Sequence, residues 1–194
     1  MRNSLTMRTD APYTLNFLIY LQNIYVNQKQ TEEEFRFPYL AEQVMFSSNF
    51  EANFKELWQD VSIKLSKDNS NGMDLILFND ENEIFYEKLF ISDSNNLKKF
   101  KEIHTSFRVW WGSYAGSFAV ERSIDDPIHN LYLTLANALK KNKIAPKNQL
   151  NIHLIYDECL LTNTECYSYY KVLSILDIHA NHQELVSKLQ RCFS

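Results

Sequence analysis

The sequence predicts an α+β fold: a single helix-rich domain in which helices cover an antiparallel sheet built from hairpins at about residues 73–90 and 150–176. Three observations predict it. Several segments carry apolar residues at helical spacing, two regions alternate apolar and polar residues as strands do, and polar turn residues separate them. The 194 residues also match the length of one ordinary domain. We therefore expect residues 1–194 to form one globular domain.

Helical signals dominate the first third of the chain. Asp10 and Pro12 precede a long apolar stretch, and a carboxylate followed by proline is typical of a helix start, so we expect a buried helix through about Gln28. Proline also favours a short helix over 38–46. Asn49 then precedes the clearest amphipathic pattern in the chain. Its apolar face consists of Phe50, Phe54, Leu57, Trp58, Val61 and Leu65.

The periodicity changes to two after a polar break at residues 67–72. Met73–Phe78 and Ile84–Phe90 flank the polar residues Asn79–Asn82, which predicts a strand, a tight turn and a second strand. An isolated hairpin is only marginally stable in water. We therefore expect this hairpin to join the strands nearer the C-terminus in one sheet.

Residues 94–122 leave two alternatives after an initial helix over 94–104. As a continued helix, the region would have a stripe of aromatic residues on one face and a stripe of small residues on the opposite face. The stripe of small residues could pack inside the chain or form a homodimer interface. The small residues are Gly112, Ala115, Gly116 and Ala119. As strands, residues 107–111 and 117–121 would pair across a loop that contains both glycines. The helical alternative is favoured.

The last third of the chain predicts a helix, a hairpin and a final helix. Asp125, Asp126 and Pro127 begin the first helix, and lysines near its end complement the helix dipole. Residues 150–156 alternate as a strand, and residues 167–176 can pair with it across an intervening loop. Apolar residues at helical spacing predict the final helix. They are Leu185, Val186, Leu189 and Phe193.

Composition and motifs exclude several functions. The net charge of −4 gives no general attraction to phosphate backbones or anionic lipids, and no apolar run reaches membrane-spanning length. The chain contains 3 glycines where average usage gives about 13, and it lacks the phosphate-binding, nucleophile-elbow, Cys-x-x-Cys and His-Glu-x-x-His motifs. We expect no cofactor, no nucleic acid and no membrane partner. The odd number of cysteines favours a reducing cytoplasm.

Four residues suggest a zinc site without its usual spacing. Cys159, Cys166, His179 and His182 provide suitable ligand types. Structural zinc sites usually have two to four residues between the two cysteines and three to five between the two histidines, because each pair must reach one tetrahedral ion. Here the cysteines are seven positions apart and the histidines only three, so both pairs depart from the pattern. We therefore expect no metal at these residues.

Aromatic residues provide the remaining candidates for a site. The chain contains 13 Phe, 11 Tyr and 3 Trp, and tyrosine and tryptophan are enriched at protein interfaces. The partner or pocket candidates are Trp110, Trp111, Tyr167, Tyr169, His153 and Asp157. The leading hypothesis is a cytoplasmic, non-catalytic binding or regulatory protein, of a partner-inhibiting or immunity type, that binds another protein. The alternative is an enzyme or small-molecule sensor with an aromatic pocket near the two tryptophans.

Overall fold

The structure is a computed structural model that describes residues 5–30, 34–68, 72–164, 166–180 and 182–193. Within these ranges helices predominate, and the strands form one four-stranded mixed sheet in an α+β architecture. The chain divides into two compact units. The helical unit comprises residues 13–113 and 159–162, and the sheet unit comprises residues 1–12, 114–158 and 163–194. None of the helices described has the length and apolar character needed to cross a membrane.

The helical unit is built around its first helix. Its helices are α1 (Tyr13–Lys29), α2 (Phe50–Ser66), α3 (Gly72–Asn79), α4 (Glu83–Leu89) and α5 (Ser94–Trp111). Helix α1 is buried on nearly every face, as its long apolar stretch predicts. Phe17, in the middle of α1, meets phenylalanine rings from three other helices at centroid distances of 5.2–6.2 Å. These rings form the core of the unit.

The predicted hairpin at 73–90 is wrong, because this region forms helices α3 and α4. The buried positions of α3 are Asp74, Leu77 and Phe78, which have helical spacing. Leu75 and Ile76 also made the segment look like a strand, but both are exposed. Because these two apolar side chains do not face the core, the apolar residues of the segment do not mark its buried face, and the sequence suggested a strand where a helix forms.

A further predicted helix is wrong, and the helix favoured over residues 94–122 is confirmed only in part, because residues 94–111 and 117–123 are helical and residues 112–116 are not. Residues 38–46 form no helix, and only Phe46 makes an isolated bridge, to Phe90. Helix α5 ends at Trp111, so no continuous stripe of small residues forms beyond it. A turn over 112–116 contains both glycines, and a new helix, α6 (Ser117–Ser123), begins after it. The initial helix from Ser94 is confirmed and is longer than expected.

The sheet unit contains a mixed sheet rather than the expected antiparallel one. Its strands are β1 (Met7–Asp10), β2 (Leu150–Ile155), β3 (Cys166–Tyr167) and β4 (Tyr170–Ser174), in the order β1-β2-β4-β3. Strand β2 lies parallel to both β1 and β4, and only β3 and β4 are antiparallel. The tight turn lies between β3 and β4, so β4 has already reversed direction when it reaches β2. The predicted 150–176 hairpin is therefore wrong.

Together with α6, helices α7 (Asp125–Lys141), α8 (Ile175–His179) and α9 (His182–Gln190) complete the sheet unit, followed by a 3-10 turn at Arg191–Phe193. The acidic start and basic end of α7 are present as predicted. The final helix is also present.

Candidate functional site

An irregular stretch in the helical unit, which we call the aromatic segment (Glu34–Phe46), is held in place by amide side chains of α1. Asn27 Nδ2 donates to the carbonyl oxygens of Arg36 at 2.6 Å and Pro38 at 2.9 Å, and Asn27 Oδ1 accepts from the Arg36 N–H at 2.8 Å. Asn23 Nδ2 donates to the Phe37 carbonyl at 2.8 Å. These bonds satisfy backbone groups that a helix or strand would otherwise pair.

Helix α5 holds the other end of the aromatic segment. Asn96 Nδ2 donates to the Met45 carbonyl at 2.6 Å, and Asn96 Oδ1 accepts from the Met45 N–H at 3.2 Å. Lys99 Nζ donates to the Gln43 carbonyl at 2.8 Å and lies 3.5 Å from a carboxylate oxygen of Glu42. The aromatic segment is therefore fixed at both ends by side chains from two helices.

Between the aromatic segment and helices α1 and α5 lies a pocket of about 260 Å³. Its floor is apolar, and Glu42, Lys99 and Glu102 place charges at its rim. Burial raises the pKa of Tyr20, so its hydroxyl stays protonated at neutral pH. The lining residues are Tyr20, Leu40, Ala41, Glu42, Val44, Lys99, Glu102, Ile103 and Ser106.

The aromatic segment also presents large apolar side chains to solvent. Phe35, Phe37, Tyr39 and Met45 are each 50–60% exposed. The Phe35 and Tyr39 rings contact each other at a centroid distance of 4.8 Å, and the Phe37 ring contacts Trp110 at the same distance. These side chains are thus arranged by packing and still accessible, which is unusual for residues of this size.

The two candidate tryptophans have different environments. Trp110 is half-buried, and its ring lies 5.9 Å from that of Tyr20, which lines the pocket. Trp111 has no exposed surface and stacks on Phe107 at 5.6 Å. Trp110 therefore contacts one lining residue of the pocket, whereas Trp111 belongs to the core.

His153 lies in a buried polar cluster of the sheet unit. Its Nε2 is 2.9 Å from Asp10 Oδ1 and its Nδ1 is 3.1 Å from the hydroxyl oxygen of Tyr170. Tyr170 has no exposed surface and His153 is 9% exposed. An acid, an imidazole and a phenol in sequence could transfer a proton, but a substrate has no access to the phenol end. The cluster matches buried polar groups that satisfy one another.

The remaining pocket candidates serve the turns of the sheet unit. Asp157 Oδ1 accepts from the Glu158 N–H at 2.8 Å. Tyr169 occupies the turn between β3 and β4 with a φ of 56°, and its hydroxyl accepts from the Lys147 N–H at 2.9 Å. Tyr167 is half-buried beside Tyr170, with ring centroids 6.0 Å apart. The hydrogen bond to Lys147 gives Tyr169 a structural role, whereas its positive φ is a conformation that glycine or asparagine adopts more readily.

The zinc candidates have other contacts. Cys166 faces Cys192, and the His182 ring lies 3.1 Å from the Thr134 hydroxyl. Cys159 lies in the helical unit, whereas His179 is exposed in α8 of the sheet unit. Among the residues that the structure describes, no three His, Cys, Asp or Glu side chains converge as metal ligands do.

No protein-family model, no curated protein and no solved structure matches this chain.

Sequence reasoning missed the aromatic segment and most of the pocket. The available signal was a set of amides in an otherwise apolar helix: Asn16, Gln22, Asn23 and Asn27. A buried amide needs hydrogen-bond partners, and in a helix the backbone is already paired, so such side chains must bind neighbouring segments. Gln22 does the same at a second place, where its Oε1 accepts from the Leu160 N–H at 2.7 Å.

Proposed function

We propose that this chain is a non-catalytic binding or regulatory protein, of a partner-inhibiting or immunity type, which binds another protein through the aromatic segment. One apolar side chain of the partner fills the pocket between α1 and α5, and the exposed aromatic residues pack around it. The observation that supports the proposal is the combination of an ordered, exposed aromatic segment with a pocket along the same stretch of chain.

The volume of the pocket favours a protein side chain over a free ligand. Small-molecule sites usually measure about 300–1,000 Å³ and enclose most of their ligand. At about 260 Å³ the pocket falls below that range. Protein interfaces, in contrast, commonly concentrate their binding energy in one or two side chains inserted into such pockets.

The exposed residues of the aromatic segment match those of protein interfaces. Phenylalanine, tyrosine and methionine are enriched there, and all three types are exposed on the aromatic segment. The segment is already fixed by Asn27 and Asn96. Because little order has to be gained on binding, little conformational entropy is lost.

The charges at the rim define the partner further. Glu42 and Glu102 outnumber Lys99, which is itself 3.5 Å from Glu42. The chain as a whole carries a net charge of −4. Complementary charge steers association and selects partners, so the partner presents lysine or arginine next to its apolar anchor. As part of the same proposal we place this interaction in the cytoplasm, without a cofactor.

Site-specific photo-crosslinking in the native cells tests the proposal. A photoreactive phenylalanine replaces Tyr39, and the matched control position is Leu176, which is 54% exposed in α8. The pocket is then filled by Ser106→Trp, with Thr105→Trp as the control, since both side chains are exposed on α5 but only Ser106 lines the pocket.

We expect the probe at Tyr39 to crosslink one protein. The yield of this crosslink falls at least about tenfold with Ser106→Trp and is unchanged with Thr105→Trp. The probe at Leu176 captures none of this protein. Equal labelling from both positions, or no effect of filling the pocket, contradicts the proposal. A small molecule retained by the purified protein in native mass spectrometry, and lost with Ser106→Trp, would establish the sensor alternative instead.

A further inference from the structure

Two cysteines of the sheet unit form a close pair. Cys166 lies in β3 and Cys192 in the 3-10 turn that follows α9. The Cys192 thiol donates to Cys166 Sγ across a sulfur–sulfur distance of 3.0 Å, and both residues are free cysteines. The Tyr169 N–H donates to the Cys192 carbonyl at 2.8 Å, which ties the 3-10 turn to the end of the β3–β4 hairpin. The pair is thus held by backbone as well as by side-chain contacts.

The two sulfurs have different environments. Cys166 is half-buried and reachable by solvent, whereas Cys192 is 1% exposed. The hydrogen bond from Cys192, together with the charges of Lys171 and Arg191, lowers the pKa of Cys166 to about 6 despite its partial burial. The same hydrogen bond, burial and the negative charge on Cys166 raise the pKa of Cys192. At neutral pH one thiolate therefore faces one thiol.

The groups around Cys166 come from three directions. Lys171 lies opposite it in β4 and is only 6% exposed, and its ammonium group donates to the Thr164 carbonyl. Arg191 lies in the 3-10 turn. The Lys188 carbonyl oxygen of α9, 3.6 Å from Cys166 Sγ, accepts from the thiol form. Two cations beside an accessible sulfur are the usual setting of a reactive cysteine.

We infer that Cys166 and Cys192 form a redox-active dithiol, in which Cys166 reacts with a hydroperoxide and Cys192 then closes a reversible disulfide. In the first step the Cys166 thiolate attacks the terminal peroxide oxygen, and the O–O bond breaks. The departing alkoxide takes a proton to become an alcohol, or water when the oxidant is hydrogen peroxide. Cys166 is left as a sulfenic acid.

In the second step the Cys192 sulfur attacks the sulfenic sulfur of Cys166. The S–O bond breaks as the S–S bond forms, and hydroxide leaves with the Cys192 proton as water. The two thiols lose two electrons in total and the peroxide gains them. A dithiol such as dithiothreitol restores both cysteines by exchange.

The third cysteine provides an internal control. Cys159 is half-exposed like Cys166, but burial of its sulfur raises its pKa to about 12. It therefore remains a thiol at neutral pH and reacts slowly. No other cysteine is present in the sequence.

The test treats the reduced full chain with a small excess of hydrogen peroxide at pH 7, then unfolds it in urea and blocks all free thiols with N-ethylmaleimide. Before blocking, we expect the intact mass of the oxidised chain to be two hydrogens lower than that of the reduced chain. After blocking, one maleimide is attached, at Cys159. Dithiothreitol added before blocking restores the reduced mass. Cys192→Ser, whose hydroxyl can still donate to Cys166 but cannot form a disulfide, halts the reaction at a Cys166 sulfenic acid that dimedone traps. Cys166→Ala abolishes the reaction, and Cys159→Ala leaves it unchanged.

The pH dependence of alkylation adds a measurement on the unmodified chain. The rate of iodoacetamide addition to Cys166 falls about tenfold between pH 7 and pH 5, because the thiolate fraction falls by that factor around a pKa of about 6. The proposal is overturned if Cys159 is oxidised as fast as Cys166. It is also overturned if the oxidised wild-type chain carries sulfenic acid without a disulfide, or if Cys166 alkylates no faster than Cys159 at pH 7.

Discussion

Asn27 illustrates how one buried amide can fix an irregular stretch of backbone. It makes three hydrogen bonds to the aromatic segment, at 2.6, 2.9 and 2.8 Å. Asn27→Ala leaves these backbone groups without partners, at a cost of about 1–3 kcal/mol. We expect amide hydrogen exchange over 34–46 to become faster, while α2 keeps its protection. Gln30→Ala, at the exposed position just after α1, is the control and leaves the exchange unchanged.

His104 links stability to pH at the residue scale. Its ring stacks on Phe78 at 4.3 Å and its Nε2 lies 2.9 Å from the Phe78 carbonyl oxygen. Burial, aided by the charge of Arg108 and opposed by the Phe78 carbonyl, lowers the pKa of His104 below 6.5. The unfolded chain therefore binds a proton at a higher pH than the folded chain does.

This difference contributes stability above pH 6.5, and the contribution is lost as the pH falls from 6.5 to the folded pKa of His104. We expect urea unfolding at pH 7.5 and pH 5 to show a loss of stability that is smaller in His104→Gln. An equal pH effect in that variant would refute the assignment. His129→Gln, at an exposed position in α7, serves as the control.

At the scale of elements, the sequence predicts long helices well and short elements poorly. Helices α1, α2, α5 and α7 were predicted because each repeats its apolar pattern over 17 or 18 residues. Helix α3 has only 8 residues, too few to distinguish the helical period of about 3.6 residues from the strand period of 2. The exposed apolar residues Leu75 and Ile76 make this distinction harder. Strand β1 has 4 half-buried residues and was not predicted.

The site was harder to predict than the fold because it depends on contacts between distant residues. The Trp110 ring lies 5.9 Å from that of Tyr20, which lines the pocket, and a role for Trp110 in binding stays a prediction. Leu40 and Ala41 have no special pattern, and the backbone just before them is held by Asn23 and Asn27 of α1. The pairing of Cys166 with Cys192 spans 26 residues and follows no spacing rule.

The start of α1 provides a prediction at this scale. The carboxylate of Asp74 in α3 accepts from the backbone N–H groups of Tyr13 at 2.7 Å and Thr14 at 2.9 Å. It thus caps α1 from another element and opposes the positive end of the helix dipole. We expect Asp74→Ala to destabilise the protein by about 2 kcal/mol in urea unfolding. Asp80→Ala, at an exposed position after α3, should change stability by less than about 0.5 kcal/mol.

For the whole molecule, the expectation of a single domain remains a prediction. The chain contributes discontinuous stretches to both the helical and the sheet unit. All three tryptophans, Trp58, Trp110 and Trp111, lie in the helical unit, so tryptophan fluorescence follows that unit alone. Far-ultraviolet circular dichroism follows both. A single domain predicts the same urea midpoint by both methods, and two separate midpoints would show that the units unfold independently.

The central claim is that the pocket beside the aromatic segment receives an apolar side chain of a protein partner. The most direct test uses the partner protein that the crosslinking identifies. It is purified and titrated by calorimetry into the wild-type chain and into the Ser106→Trp and Thr105→Trp variants. We predict that Ser106→Trp raises the dissociation constant at least about tenfold, equivalent to about 1.4 kcal/mol of binding free energy. Thr105→Trp binds the partner with the affinity of the wild type. Equal affinities for all three chains would contradict the claim.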